Sequence, residues 1–158
     1  MLNKTRDSSL KYSLQAAIVL ALAGMGDAFL YAYLPANYQT VGISIVWVGL
    51  ILSINRFTRL FLNGWVAYRL SKHGIRIVTV VTSILAVLTT VFYGFGNSIF
   101  LWVIVRVLWG ITFSTLRLGS IMYAMQHNKQ GISLGLSRGI IELGSVFALL
   151  LGSILLTH

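Results

Sequence analysis

Cysteine is absent from this 158-residue chain, proline occurs once, and only three residues are acidic. The first absence excludes a disulfide framework, thiol catalysis and cysteine-based metal sites. With one proline and no low-complexity stretch, there is no linker at which to divide the chain. Charged residues of both signs make up only 9% of it, against 57% hydrophobic residues and a mean hydropathy of +0.85. Those values lie outside the usual range for soluble domains. The net charge of +9 would suggest nucleic acid only on a water-soluble fold with a basic face, so no nucleic-acid partner is expected.

What the sequence does have is five long apolar runs. They predict helices at 14–36, 45–70, 75–95, 99–122 and 132–156, an all-α polytopic transmembrane bundle forming one membrane-embedded domain over residues 1–158. The connections are very short, so successive helices pack antiparallel. Basic residues crowd the N-terminal tail (Lys4, Arg6, Lys11), the second connection (Arg69, Lys72, Arg76) and the fourth (His127, Lys129). The first and third connections, around 40–44 and at Asn97–Ser98, carry no charge. Loops rich in Lys and Arg stay cytoplasmic, so the alternation puts the N-terminus inside and the C-terminus outside a cell (inner or plasma) membrane. The first run has the basic start of a cleavable leader, ending Ala21-Leu22-Ala23. Because its apolar character continues to Leu34, about 20 residues in all, it reads as a retained helix.

Trp47, Tyr93 and Trp102 fall near outer helix ends, and Tyr68 and Tyr123 near inner ends, as interfacial aromatics do. Gly24, Ala28, Ala32 and Ala36 step by four along the first helix, and Gly131, Gly135 and Gly139 along the fifth. Such stripes predict close helix packing.

The informative residues are ionisable groups inside the runs: Asp27, Arg56, Arg59, Arg106, Arg117, Arg138 and Glu142. An arginine near a span centre costs about 2.5–3.5 kcal/mol to insert, while each large aliphatic residue or Phe returns about 0.3–0.6. For the second helix, about a dozen such apolar residues barely offset Arg56 and Arg59, which must therefore face protein or a wet cavity. Arg56, Arg59 and Asn63 share one face of that helix, and Arg106, Gly110, Phe113 and Arg117 form a stripe on the fourth. Arg138 and Glu142 are one turn apart and can pair directly. At about 1.5 Å of rise per residue, Asp27 and Arg106 lie roughly 13 and 11 Å below their outer helix ends, level with each other. By the same rise Glu142 and Arg59 both fall roughly 21 Å down, a second possible pair. Arg117 and Arg138 lie near the inner surface, where snorkelling to headgroups explains them. Two accounts of these groups stand: ion pairs holding the bundle together, or a polar cavity that moves protons or recognises a charged solute, its positive excess suiting an anion.

Arg106-Val-Leu-Trp-Gly110 resembles the Arg-x-x-x-Gly signature of the fourth helix in the major facilitator superfamily of secondary transporters. The stretch from Gly64 to Arg76 resembles that family's cytoplasmic loop motif at Gly64, Arg69, Gly74 and Arg76. It has about two extra residues before Gly74, and Tyr68 stands where the family has an aspartate. Asp27 with Pro35 is similar to the acidic first-helix motif of the drug/proton antiporters, and Ser137-Arg138-Gly139 to their glycine-rich fifth helix without its Gly-Pro. The resemblance implies half of a two-half fold whose first and fourth helices line a midplane cavity. It further implies proton-coupled transport of a small solute, with Asp27 and Arg106 as coupling pair. Glu142, Arg59, Arg56 and Arg117 would be cavity candidates, and Gly64, Arg69, Gly74 and Arg76 the gate loop.

Five helices fall short of that fold. A partial chain of a longer transporter, a subunit completed by self-association or a second polypeptide, and a non-transporting membrane scaffold are the three readings left. No phosphate loop, zinc-ligand spacing or nucleophile elbow is present, and Ser137 beside Arg138 has no base, so neither an enzyme, a metal nor a cofactor is expected. The expected partners are the lipid bilayer, a small solute and protons.

Overall fold

In a computed structural model, which describes residues 2–92, 98–127 and 129–156, the chain forms five helices. They are α1 (Leu2–Ala36), α2 (Ile45–His73), α3 (Ile75–Phe92), α4 (Ile99–Met125) and α5 (Gln130–Leu156), with no strand among the described residues. All five contain a stretch long and apolar enough to cross a membrane. The protein is an all-α integral membrane bundle.

Helix ends differ from the sequence expectation where local physics was not visible as hydropathy. α1 begins twelve residues before the predicted start at residue 14, because the polar tail continues the helical backbone beyond its apolar stretch. α2 runs on to His73, which leaves Gly74 alone between α2 and α3. Gly74 has φ 82°, a conformation open to glycine and strained for other residues. Of the gate-loop residues, Gly64 and Arg69 lie on α2 and Arg76 on α3, as the predicted helix bounds had them, and only Gly74 is non-helical. The predicted end of the third helix, at 93–95, lies outside the described residues, as does Tyr93.

α4 is the hub. It packs on α1, α2, α3 and α5, while α5 lies chiefly along α1 and α2 chiefly along α4. Glycines set the closest approaches. A Cβ on Gly110 would lie 2.8 Å from Thr58 of α2, one on Gly119 would lie 2.8 Å from Thr79 of α3, and one on Gly144 would lie 3.0 Å from the Ala21 carbonyl of α1. The α5 stripe of Gly131, Gly135 and Gly139 plays no such part, nor does Gly24 of the α1 stripe, since a Cβ at any of them would meet nothing within 4 Å. Regular spacing puts small residues on one face, but only the neighbour's position makes that face an interface.

Two apolar clusters occupy the interior. One joins Leu30, Leu34, Ile43, Val48, Ile51 and Trp102 at the end that holds the first connection. The other joins Leu20, Ala86, Trp109 and Leu116 further along α1 and α4. Trp102 and Tyr123 are both buried, so they are core residues, not the lipid-interface anchors their positions suggested; Trp47 and Tyr68 are exposed. Tyr123 packs against Tyr12, whose ring also sits 5.7 Å below the Arg76 guanidinium. That cluster brings the start of α1, the start of α3 and the end of α4 to one end of the bundle. The outer surface is the inverse of a soluble protein's: Leu60, Phe61 and Phe100 are among many large apolar side chains left uncovered.

The hydroxyls of α3 are satisfied within their own helix. On α3, Thr79, Thr82 and Thr90 each donate to the carbonyl four residues back, at 2.6, 2.7 and 2.9 Å. In lipid this removes the penalty of a bare hydroxyl without needing a neighbour.

Candidate functional site

Between the two apolar clusters along α1 and α4, the Arg106 guanidinium donates from Nη1 to the Asp27 carboxylate. The Arg106 side chain is wholly buried and that of Asp27 nearly so, at 0% and 15% exposure. Asn55 of α2 adds a long hydrogen bond, its Nδ2 donating to Asp27 Oδ2 at 3.4 Å. The Tyr31 ring lies 5.2 Å from the Arg106 guanidinium and 5.9 Å from that of Arg56, and its hydroxyl donates to the Leu52 carbonyl at 2.9 Å. One buried acid is therefore held by α4, approached by α2 and flanked by an aromatic face. The pair forms because Asp27 and Arg106 lie at matching depths on two helices that touch. Asn55 and Tyr31 escaped the sequence reading; Asn55 lies one residue before Arg56, and Tyr31 one turn after Asp27, which is the only signal either gave.

The remaining arginines are arranged differently. Arg56, Arg59, Asn63, Ser114 and Arg117 line an open groove of about 490 Å³ between α2 and α4. Arg59 is half-buried, with its guanidinium 4.6 Å from the Phe113 ring centroid. A second groove of about 270 Å³, between α4 and α5, shares Phe113 and Arg117 with the first and adds Arg138 and Glu142. The predicted face of Arg56, Arg59 and Asn63 thus opens on one groove. The predicted stripe on α4 divides: Arg106 and Gly110 are buried against α1 and α2, while Phe113 and Arg117 face the grooves.

The possible pair of Glu142 with Arg59 does not form. Glu142 instead meets Arg138 on its own helix at 3.8 Å, both side chains being about two-thirds exposed. Equal depth was not enough, because α5 packs along α1 while α2 packs along α4.

Of the residues proposed for a gate, Arg69 stacks 5.0 Å from the Trp65 ring and meets His73 Nε2 at 3.2 Å, and Arg76 lies over Tyr12. Gly64 is exposed with open space around it. These side chains do not converge on the Asp27 centre.

A further polar junction was missed altogether. Buried Ser13 of α1 lies 2.8 Å from Ser137 Oγ of α5 and donates to the Ser120 carbonyl of α4 at 3.0 Å; Ser120 Oγ donates back to the Ser13 carbonyl at 3.2 Å. Isolated serines in apolar runs carry no pattern from which such a meeting can be read. No group of three or more His, Cys, Asp or Glu side chains suited to a metal occurs among the described residues.

The fold and these sites define a polytopic helical membrane protein with a buried charge pair and an open basic face. No family model, curated protein or solved structure matches the chain.

Proposed function

We propose that the protein is a secondary transporter of the major facilitator type, moving a small solute in exchange or in company with protons. One observation carries this reading: the Asp27–Arg106 pair, an acid and a base buried at mid-depth where α1 meets α4. Ionisable groups so placed are expensive and mark proton or solute paths by default. The resemblance of Arg106-to-Gly110, of Asp27 with Pro35, and of the Gly64-to-Arg76 stretch supports the family. The bilayer, a solute and protons are its partners, and the basic end of the bundle faces the cytoplasm.

The test uses the purified chain in proteoliposomes with a trapped pH indicator and an imposed solute gradient. Solute-dependent proton movement is expected, and Asp27→Asn should abolish it while leaving insertion intact. Proton movement unaltered by that substitution rejects Asp27 as the coupling acid. Orientation is read separately, from single cysteines at Val41 and His73 in intact cells: only position 41 should react with an impermeant reagent.

A specific feature favours a second reading, that of a non-transporting scaffold or subunit completed by another chain. The glycine stripe of α5 is exposed and meets nothing within the bundle, as a helix docking surface would. Stable association with another membrane protein, without solute flux, would select it.

A further inference from the structure

The groove between α2 and α4 gathers positive charge on its walls. Three guanidinium groups, Arg56, Arg59 and Arg117, line it, and no carboxylate does. None of the three makes an ion pair among the described residues, where only Asp27–Arg106 and Arg138–Glu142 occur. Arg59 is midway along its span, where an unbalanced charge is most costly.

The groove also holds unused hydrogen-bonding capacity. Ser114 is 3% exposed, and its Oγ has no partner, although it lines this wall. That sets it apart from Thr115 beside it, which donates to its own helix at 2.8 Å. Arg59 Nε is likewise buried without a partner. The rest of the lining, Leu60, Phe113, Leu118 and Ile121, is apolar. Phe113 sits against the Arg59 guanidinium and limits the directions in which it can point.

We propose that this groove is an oxyanion-binding site, taking the phosphate or carboxylate head of a small amphiphilic anion whose apolar body lies against Phe113, Leu60 and Leu118. Arg59 and Arg117 supply the forked donors that suit such a head, Ser114 adds a hydroxyl donor, and Arg56 contributes charge at the rim. A soluble organic anion and an anionic lipid headgroup share this chemistry. The inference deepens the transport reading by naming the class of solute, and rests on it only for the movement of that solute, not for its binding.

The experiment measures thermal unfolding of the full chain in phosphatidylcholine nanodiscs. One arm adds inorganic phosphate against chloride of matched ionic strength; the other replaces part of the lipid with phosphatidylglycerol. A rise in Tm with phosphate identifies a soluble anion, and a rise with phosphatidylglycerol alone identifies a headgroup; either supports the site. Arg59→Gln and Arg117→Gln should each weaken the response about tenfold in apparent affinity, with Ser114→Ala weakening it less and Lys72→Gln, outside the groove, leaving it unchanged. Should Arg59→Gln fail to fold, exposed Arg117 and the conservative Ser114→Ala carry the test. No rise with either probe, or full responses in the Arg117 and Ser114 variants, overturns the proposal. Binding with no solute flux removes transport alone. Proton-linked flux of an uncharged solute without anion binding removes the anion site alone.

Discussion

Among the described residues, two arginine–carboxylate pairs lie within spans, and they differ in almost everything except chemistry. Asp27–Arg106 joins two helices and is sealed inside the bundle; Arg138–Glu142 joins two turns of one helix and is about two-thirds exposed. The first is tertiary structure, and neither partner would be tolerable in its place without the other. The second would form on an isolated helix, and its strength is set by whatever surrounds α5. The contrast extends to whole elements: half of the α4 span is buried but only 11% of the α5 span.

The largest predicted effect breaks the inner pair. Arg106→Leu leaves Asp27 buried without its counter-charge and should cost about 3–5 kcal/mol in reversible unfolding from micelles. The double variant Asp27→Leu with Arg106→Leu should recover most of that loss, since a buried pair replaced by apolar groups is often near neutral. A double variant as unstable as the single one would show that the pair contributes to folding beyond mutual neutralisation.

Next in size is the close approach of α4 to α2. Gly110→Val places methyl groups against Thr58 and the Asn55 carbonyl and should destabilise by about 1–3 kcal/mol in the same assay. Gly135→Val, with nothing in reach, should leave the isolated chain unchanged. Equal losses at the two positions would mean that α5 is covered by another copy or chain.

The serine junction should matter less. Ser13→Ala removes links to both Ser120 and Ser137, and hydrogen bonds between membrane helices average about 0.6 kcal/mol with a maximum near 1.7. A loss above that range would make the junction a cooperative network.

Smallest of all is Glu142→Gln, expected to change stability by no more than about 1 kcal/mol because the outer pair is exposed. A larger effect would place the Arg138–Glu142 pair in a dry environment and erase the difference between the two pairs.

Much of the fold was legible before any coordinates. Hydropathy located five helices because a span must satisfy its own backbone in lipid and therefore announces itself by length. Depth along the axis was legible too, at a fixed rise per residue, and it placed Asp27 opposite Arg106. Rotation and adjacency were not. Depth alone paired Glu142 with Arg59, but these lie on helices packed along different neighbours. Spacing marked Gly131, Gly135 and Gly139 for packing, while Gly110, Gly119 and Gly144 make the close approaches. Asn55, Ser13 and Ser120 went unremarked because a single neutral polar residue shifts neither hydropathy nor periodicity.

By itself the sequence determined how many times the chain can cross a membrane, which ends are basic, and how deep each charge lies, since all three follow from local composition and helical rise. Only the tertiary structure decided which charges neutralise one another inside the protein and which are left facing a groove. That depends on which helices touch and through which face, and close packing around small residues such as Gly110 and Gly144 fixes both.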